Sequence, residues 1–249
     1  MRTIRFHADL PLAVGADLVL PPDAAEHATR VLRLPAGAPV VLFNGDGCDY
    51  AATIGSIDKR AVRVQVTACS PVYNESPLPL LLAQGIARGD KMDLIVQKAT
   101  ELGATGIVPL LTERSEVRLD AERAAKRLAH WQSVAVSACE QSGRARIPRI
   151  APIQPLAAWL GGLADDGALR LALLPGAEKT IGALRFGAAG GVLVIGPEGG
   201  LGEADTRALA QHGFLGLRLG PRILRTETAG LAALSALQAC HGDLAIAGA

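Results

Sequence analysis

Beyond residue 79 the chain alternates between short apolar runs and segments with helical spacing, and this limits the folds open to it. Leu80 to Ile86 is a largely apolar run, as expected of a strand covered on both faces. Met92, Ile95, Val96, Ala99 and Leu102 then recur at helical intervals. Thr105–Leu111 reads as a strand and residues 120–140 as a long helix. Apolar runs at Leu169–Leu174 and Val192–Ile195 precede a helix over 203–212, a strand over Phe214–Leu219 and a last helix over 227–240. Strands alternating with helices predict an α/β domain with a mostly parallel sheet.

The first 72 residues have a different texture. Val40–Phe43 runs into the turn cluster Asn44-Gly45-Asp46-Gly47, and Tyr50–Ile54 follows. Val62, Val64 and Val66 alternate with Arg63 and Gln65, the period of a half-buried strand. One short helix is expected from Ala24 to Leu32. This region reads as a small β-barrel or open β-roll. Ser70 to Pro79 is rich in proline and polar residues and is the natural linker. The expected division is therefore residues 1–72 and 73–249.

Composition removes several classes. At 49% hydrophobic residues the chain is not disordered, and at 3% aromatic it is poorly suited to an RNA surface of stacked rings. A net charge of +1 decides nothing, because charge that meets a polyanion can be clustered. Cys48, Cys69, Cys139 and Cys240 form no CxxC pair, so buried free thiols are expected and no metal. The first residues contain no apolar signal core, and no stretch reaches 18 apolar residues. A cytoplasmic protein without a membrane span is expected.

Three glycine-bearing turns follow apolar runs in the second region: Leu174-Pro175-Gly176, Ile195-Gly196-Pro197-Glu198-Gly199-Gly200, and Leu219-Gly220-Pro221-Arg222-Ile223-Leu224-Arg225. In open α/β sheets ligands bind beyond the carboxyl ends of strands. Any one turn is explained by chain reversal alone; three together point to a ligand held by main-chain groups. Neither a GxGxxG fingerprint nor a P-loop fits these residues, which argues against a dehydrogenase or a nucleotide triphosphatase.

Charged residues gather in three places. Glu140–Arg149 carries Arg144, Arg146 and Arg149 in a loop broken by Gly143 and Pro148. Arg5, Arg30 and Arg33 lie in the first region. Both sets are either solvated surface or contacts to RNA phosphate. Arg222, Arg225 and Glu227 flank the third turn, where Thr226 is placed to cap the helix that follows.

The second and third turns, extended through Thr226-Glu227-Thr228-Ala229, resemble the C-terminal signature of the RsmE family, the 16S ribosomal RNA (uracil-N3) methyltransferases of the SPOUT superfamily. Arg88–Asp93, Thr100–Gly103, Thr112–Ser115, Glu140–Arg144 and His27 through Arg33 fit the same family, so the resemblance spans nearly the whole chain. It implies a PUA-like β domain followed by a SPOUT domain, with a mostly parallel sheet and a C-terminal trefoil knot. It also implies a homodimer that uses S-adenosylmethionine and acts on 16S ribosomal RNA of the small subunit.

On this resemblance the cofactor is expected at Leu174, Pro175 and Gly176, at Ile195 through Gly200, and at Leu219, Gly220, Ile223 and Leu224. Arg225 or Arg144 is expected to stabilise the uracil oxygens, and Glu198 or Glu227 to help remove the N3 proton. Arg144 is expected to act across the dimer. Arg5, Arg30, Arg33, Arg88, Lys91, Arg146 and Arg149 are the candidates for RNA contact. Two other readings stand beside this one: a non-catalytic RNA-binding or assembly factor, and a SPOUT enzyme of transfer RNA or of a ribose 2′-hydroxyl. Cofactor binding separates the first, and mapping of the modified nucleotide separates the second.

Overall fold

The computed structural model describes residues 4–58, 61–117 and 119–244. They divide into two compact units: residues up to Glu75 with Val136–Ile147, and Ser76–Ala135 with the chain from Pro148 onward. The sequence division after residue 72 assigns Val136–Ile147 to the second domain; by packing this segment belongs to the first. No periodicity could have placed it there, because the contacts are long-range.

In the first unit the order is β1 (Arg5–His7), β2 (Asp17–Val19), α1 (Pro22–Glu26), β3 (Pro39–Phe43), β4 (Cys48–Asp58) and β5 (Ala61–Pro71). The five strands hydrogen-bond in the order β1-β3-β4-β5-β2, antiparallel except for β1 with β3. Val62, Val64 and Val66 point inward from β5 and join Phe6, Leu42 and Ile54 in the core, while Arg63 and Gln65 face water. The expected helix over Ala24–Leu32 is not uniform. After α1 the chain widens to a π turn over His27–Val31, and Arg33 then takes a left-handed φ of 51°. Ala24 and Ala28, four apart, are the residues this segment buries. The two short strands β1 and β2 carry no periodic signal of their own and are held by their partners.

In the second unit β6 (Leu80–Gly85), α2 (Lys91–Glu101), β7 (Ala104–Leu111) and α3 (Ala121–Ser142) come first. The last turns of α3, from Val136, lie in the first unit. Then follow β8 (Arg149–Ile150), β9 (Gln154–Pro155), α4 (Leu156–Gly161), β10 (Leu169–Leu173), β11 (Gly191–Ile195), α5 (Glu203–Gln211), β12 (Leu215–Leu217) and α6 (Thr226–His241). The sheet order is β12-β10-β11-β6-β7-β8, with β9 also pairing β7, and all pairings are parallel. Every residue of β11 is buried, as a strand covered on both faces requires.

Chain order reverses at β6. The chain first builds outward through β7 and β8, then restarts on the other side and inserts β11 between β10 and β6. This is a topological switch point, where open α/β sheets place their crevice. β12 pairs at the outer side of β10, yet α6 packs on α2, β6 and β11. The residues between β12 and α6 therefore return past β10 and β11.

Of the four cysteines only Cys139 is buried; Cys48 is half-buried, and Cys69 and Cys240 are exposed. All four are free, but the expectation that they are buried holds for one.

Candidate active site

Beyond the carboxyl ends of β10, β11 and β12 the second unit encloses a cavity of about 640 Å³, inside the range of roughly 300–1,000 Å³ usual for small-molecule sites. Its walls are Leu173–Pro175, Ile195–Leu201 and Arg218–Thr226, with Ala229 of α6, Lys91 at the start of α2 and Arg114 from the loop after β7. Of the cofactor residues expected from the three turns, only Gly176 falls outside this lining.

Close backbone approach shapes the site. A Cβ on Gly85, at the end of β6, would lie 2.6 Å from the nitrogen of Pro197. A Cβ on Gly196 would lie 2.7 Å from the carbonyl carbon of Gly200, so the turn after β11 folds back on itself. Gly220 has open space around it but a φ of +69°, which disfavours any branched residue.

A buried polar tie holds these turns in register. Gln84 is fully buried in β6, where unpaired amide N–H groups would be costly. Its Nε2 donates to the carbonyl of Gly85 and to Thr226 Oγ1, both at 2.9 Å. The Thr226 hydroxyl donates in turn to the carbonyl of Gly196 at 2.6 Å. Thr226 is thus not the helix cap that its position suggested. Arg225 occupies the cap position, with no side-chain cap bond, and Thr226 links the start of α6 to the turn after β11. The one polar residue in the apolar run of β6 was the available sequence signal for this tie.

A second tie places Arg114. Both carboxylate oxygens of Asp205 accept from the backbone N–H of Glu113, and Oδ2 also accepts from Gly202 N–H at 3.0 Å. Glu113 Oε2 accepts from Ala204 N–H at 3.1 Å. The loop after β7 is thereby fixed to the start of α5, and Arg114 Nη1 donates to the carbonyl of Gly199 at 3.0 Å.

Lys91 joins two carboxylates. Its Nζ lies 2.9 Å from Glu198 Oε1 and 3.5 Å from Glu227 Oε2. The hydrogen bond with Glu198 is the main reason its ammonium is held above the ordinary lysine value, against partial desolvation. For Glu198 burial is the largest single influence and pushes upward. The backbone N–H of Arg88, at 3.0 Å, together with Lys91 outweighs it and holds the carboxyl below its ordinary value. Such a carboxylate is ionised at neutral pH and weakly basic. Around it Arg114, Arg218, Arg222 and Arg225 also face the cavity, so its lining is strongly cationic.

The four residues expected to be catalytic are not brought together. Glu198 and Arg225 line the cavity; Glu227 does not and meets it only through Lys91. Arg144 lies in the first unit, 4% exposed, with Nε donating to Glu75 Oε1 at 2.9 Å and Nη2 to Oε2. This is a bidentate internal pair. Within this chain the Arg144 side chain is committed to Glu75.

The RNA candidates divide as well. Arg5 is buried against Asp49, donates to the carbonyl of Arg144 at 3.0 Å and stacks 4.9 Å from the Phe43 ring. It is a strut of the first unit and not an open cation. Arg30 and Arg33 are exposed, Arg30 with only a surface pair to Glu26. Arg146 and Arg149 are exposed, the former lying over Gly47. Arg88 is exposed, and Lys91 belongs to the cavity. Sequence reasoning did not single out Gln84, Arg114 or Arg218 for the site. Each is placed by contacts between segments far apart in the chain.

Two family models match. Residues 74–238 match the RNA methyltransferase domain, and residues 20–67 match the RNA methyltransferase PUA domain. The chain is 33% identical over 223 residues to ribosomal RNA small subunit methyltransferase E of Bacillus subtilis, covering 86% of this chain and 87% of that protein. It is 30% identical over 243 residues to the protein of the same name from Buchnera aphidicola subsp. Schizaphis graminum, covering 98% of each. The crystal structure of ribosomal RNA small subunit methyltransferase E from Neisseria gonorrhoeae, bound to S-adenosyl methionine, superposes with a TM-score of 0.91 at 37% identity. That match covers 97% of this chain and 99% of the other.

Proposed function

As the chain belongs to the RsmE family of ribosomal RNA small subunit methyltransferases, we propose that it moves a methyl group from S-adenosylmethionine to N3 of a uridine in 16S ribosomal RNA. The observation that carries this reading is the cavity made by the three strand-end turns. Its volume suits a nucleoside-sized ligand, Leu174, Ile195, Leu219 and Ala229 give it apolar walls, and Gly196, Gly199 and Gly220 leave main-chain groups open to contact. S-adenosylmethionine fits such a lining and supplies, when bound, an electrophilic methyl on sulfonium. The turns at Leu174–Pro175, Ile195–Gly200 and Leu219–Leu224 would hold it. The return of the chain past β10 and β11 is the path a C-terminal trefoil knot needs, and the knot is part of the proposal.

The protein's task is to align the uracil and to make its N3 negative. Uracil N3 carries a proton, and the anion left by its loss spreads onto the flanking oxygens. Arg225, exposed at the cavity wall, is the residue we assign to those oxygens. Lys91 stays protonated and adds positive field. Glu198, held below its ordinary value, is a poor proton acceptor and anchors Lys91 and the loop at Arg88. Glu227 balances the charge of Lys91 from α6. The proton leaves to water at the cavity mouth, and the cationic lining makes that loss easier. Arg144 and Glu75 serve the fold of the first unit. The enzyme is taken to be a cytoplasmic homodimer, a closed two-fold assembly with one such cavity per subunit.

Isothermal titration of the purified protein with S-adenosylmethionine tests the assignment of the cavity. Saturable binding, lost in Gly196→Val, is expected. A folded protein that binds none would leave the factor without chemistry as the better description.

A further inference from the structure

A second concavity of the same unit carries positive charge with no part in the chemistry above. It is a groove of about 520 Å³ lined by Arg88, Arg123, Lys126 and Arg127, with Glu116 and the apolar residues Val117 and Leu119. Arg123, Lys126 and Arg127 stand at i, i+3 and i+4 in α3 and so share one face. Arg88 comes from the loop after β6, so two segments far apart in sequence converge on one groove. The ion pairs here are weak ones between exposed side chains: Arg88 to Glu116 at 2.8 Å, Arg123 to Asp120 at 3.4 Å, Lys126 to Glu122 at 2.7 Å. Such pairs are screened by salt and readily exchanged for a stronger anion.

The groove is tied to the active site through one residue. The Arg88 side chain lines the groove, while its backbone N–H donates to Glu198, which lines the cavity. We propose that this groove is a phosphate track, which binds the ribose-phosphate backbone of the RNA next to the nucleotide held over the cavity. The inference rests on the reading that the cavity serves RNA methylation. Four cations spread along a groove suit successive phosphates rather than one small anion. Val117 and Leu119 offer apolar surface to a sugar or base between them.

The test uses the full-length Arg123→Glu/Arg127→Glu protein and small ribosomal subunits purified from cells lacking this methyltransferase. RNA affinity is expected to fall about tenfold, the scale of two lost phosphate contacts, and the slope of log K against log salt by about 1.4 to 1.8. Affinity for S-adenosylmethionine and kcat at saturating RNA should stay at wild-type values. Arg123→Lys/Arg127→Lys should keep most of the affinity and remains informative if the glutamates unfold the helix. Unchanged affinity and slope in the glutamate variant overturn the proposal. So does loss of the dimer in place of RNA binding, which would make the groove a contact between copies. If the wild type binds the subunits without methylating them and the variant loses that binding, the groove stands and the methylation reading falls.

Discussion

Arg5 and Arg144 of the first unit and the cavity arginines of the second play opposite parts. In the first, Arg5 and Arg144 are turned inward: Arg5 pairs with Asp49 and lies over Phe43, and Arg144 grips Glu75 with two parallel hydrogen bonds. In the second, Arg218, Arg222 and Arg225 stand exposed around a cavity made by three strand-end turns. A buried guanidinium with a carboxylate partner fixes a chain segment, here Val136–Ile147 against the β domain. An exposed one beside a cavity is available to a ligand. The sequence presents Arg144 and Arg225 alike as arginines near glycine and proline, so only the partner found across the chain separates strut from site.

The largest effect expected from this contrast is on stability. Arg144→Ala leaves Glu75 as an uncompensated, mostly buried charge, and about 3–5 kcal/mol of unfolding free energy should be lost. Denaturant titration measures it, and titration with S-adenosylmethionine below the transition should give wild-type affinity. A stable variant that is merely inactive would return Arg144 to the catalytic set.

Arg225→Ala should do the reverse. Loss of one donor to a developing anion costs about 100-fold or more in kcat, while an exposed substitution shifts stability by no more than about 0.5 kcal/mol. Single-turnover methyl transfer and thermal denaturation together read this pair of outcomes. A variant with wild-type kcat would remove Arg225 from the chemistry.

Gly220→Val probes the backbone walls. A branched residue at φ +69° carries a strain of about 1–3 kcal/mol. If the turn relaxes to relieve it, affinity for S-adenosylmethionine should drop by roughly tenfold. Calorimetry that shows unaltered affinity would place the ligand away from this turn.

These turns were legible before the fold was known, because glycine and proline after apolar runs mark strand ends whatever the partners are. The parallel sheet was legible for the same reason: each buried strand shows as its own apolar run. The insertion of β11 between β10 and β6 was not, since strand order depends on pairing between segments more than 100 residues apart. The Gln84–Thr226–Gly196 tie and the Arg144–Glu75 pair escaped for that cause too. Thr226 looked like a cap because capping is local and its real partners are not.

A smaller effect concerns the exposed arginines of the first unit. Arg30→Ala with Arg33→Ala should reduce the slope of log K for RNA against log salt by about 0.7 to 0.9 per phosphate contact, with cofactor affinity unaltered. An unchanged slope would make them ordinary surface charge, and the contrast between the units would sharpen.

The smallest effect is the pH dependence of Glu198. Its pKa in the fold is depressed, so its contribution to stability is fully present above the ordinary value of 4.5 and is lost as pH falls through the folded value. Wild type should therefore exceed Glu198→Gln in melting temperature at neutral pH. The gap should narrow only below pH 4.5. A gap that is constant across acid pH would mean the charge of Glu198 contributes nothing.

The most direct test of the account is the identity of the product. Small ribosomal subunits from cells lacking the enzyme are incubated with the purified protein and S-adenosylmethionine, and the 16S ribosomal RNA is digested to nucleosides and analysed by mass spectrometry. One 3-methyluridine per RNA, formed about 100-fold or more slowly by Arg225→Ala under the same conditions, is the predicted result. Methylation on a ribose 2′-hydroxyl, on transfer RNA alone, or on no nucleotide at all would contradict it.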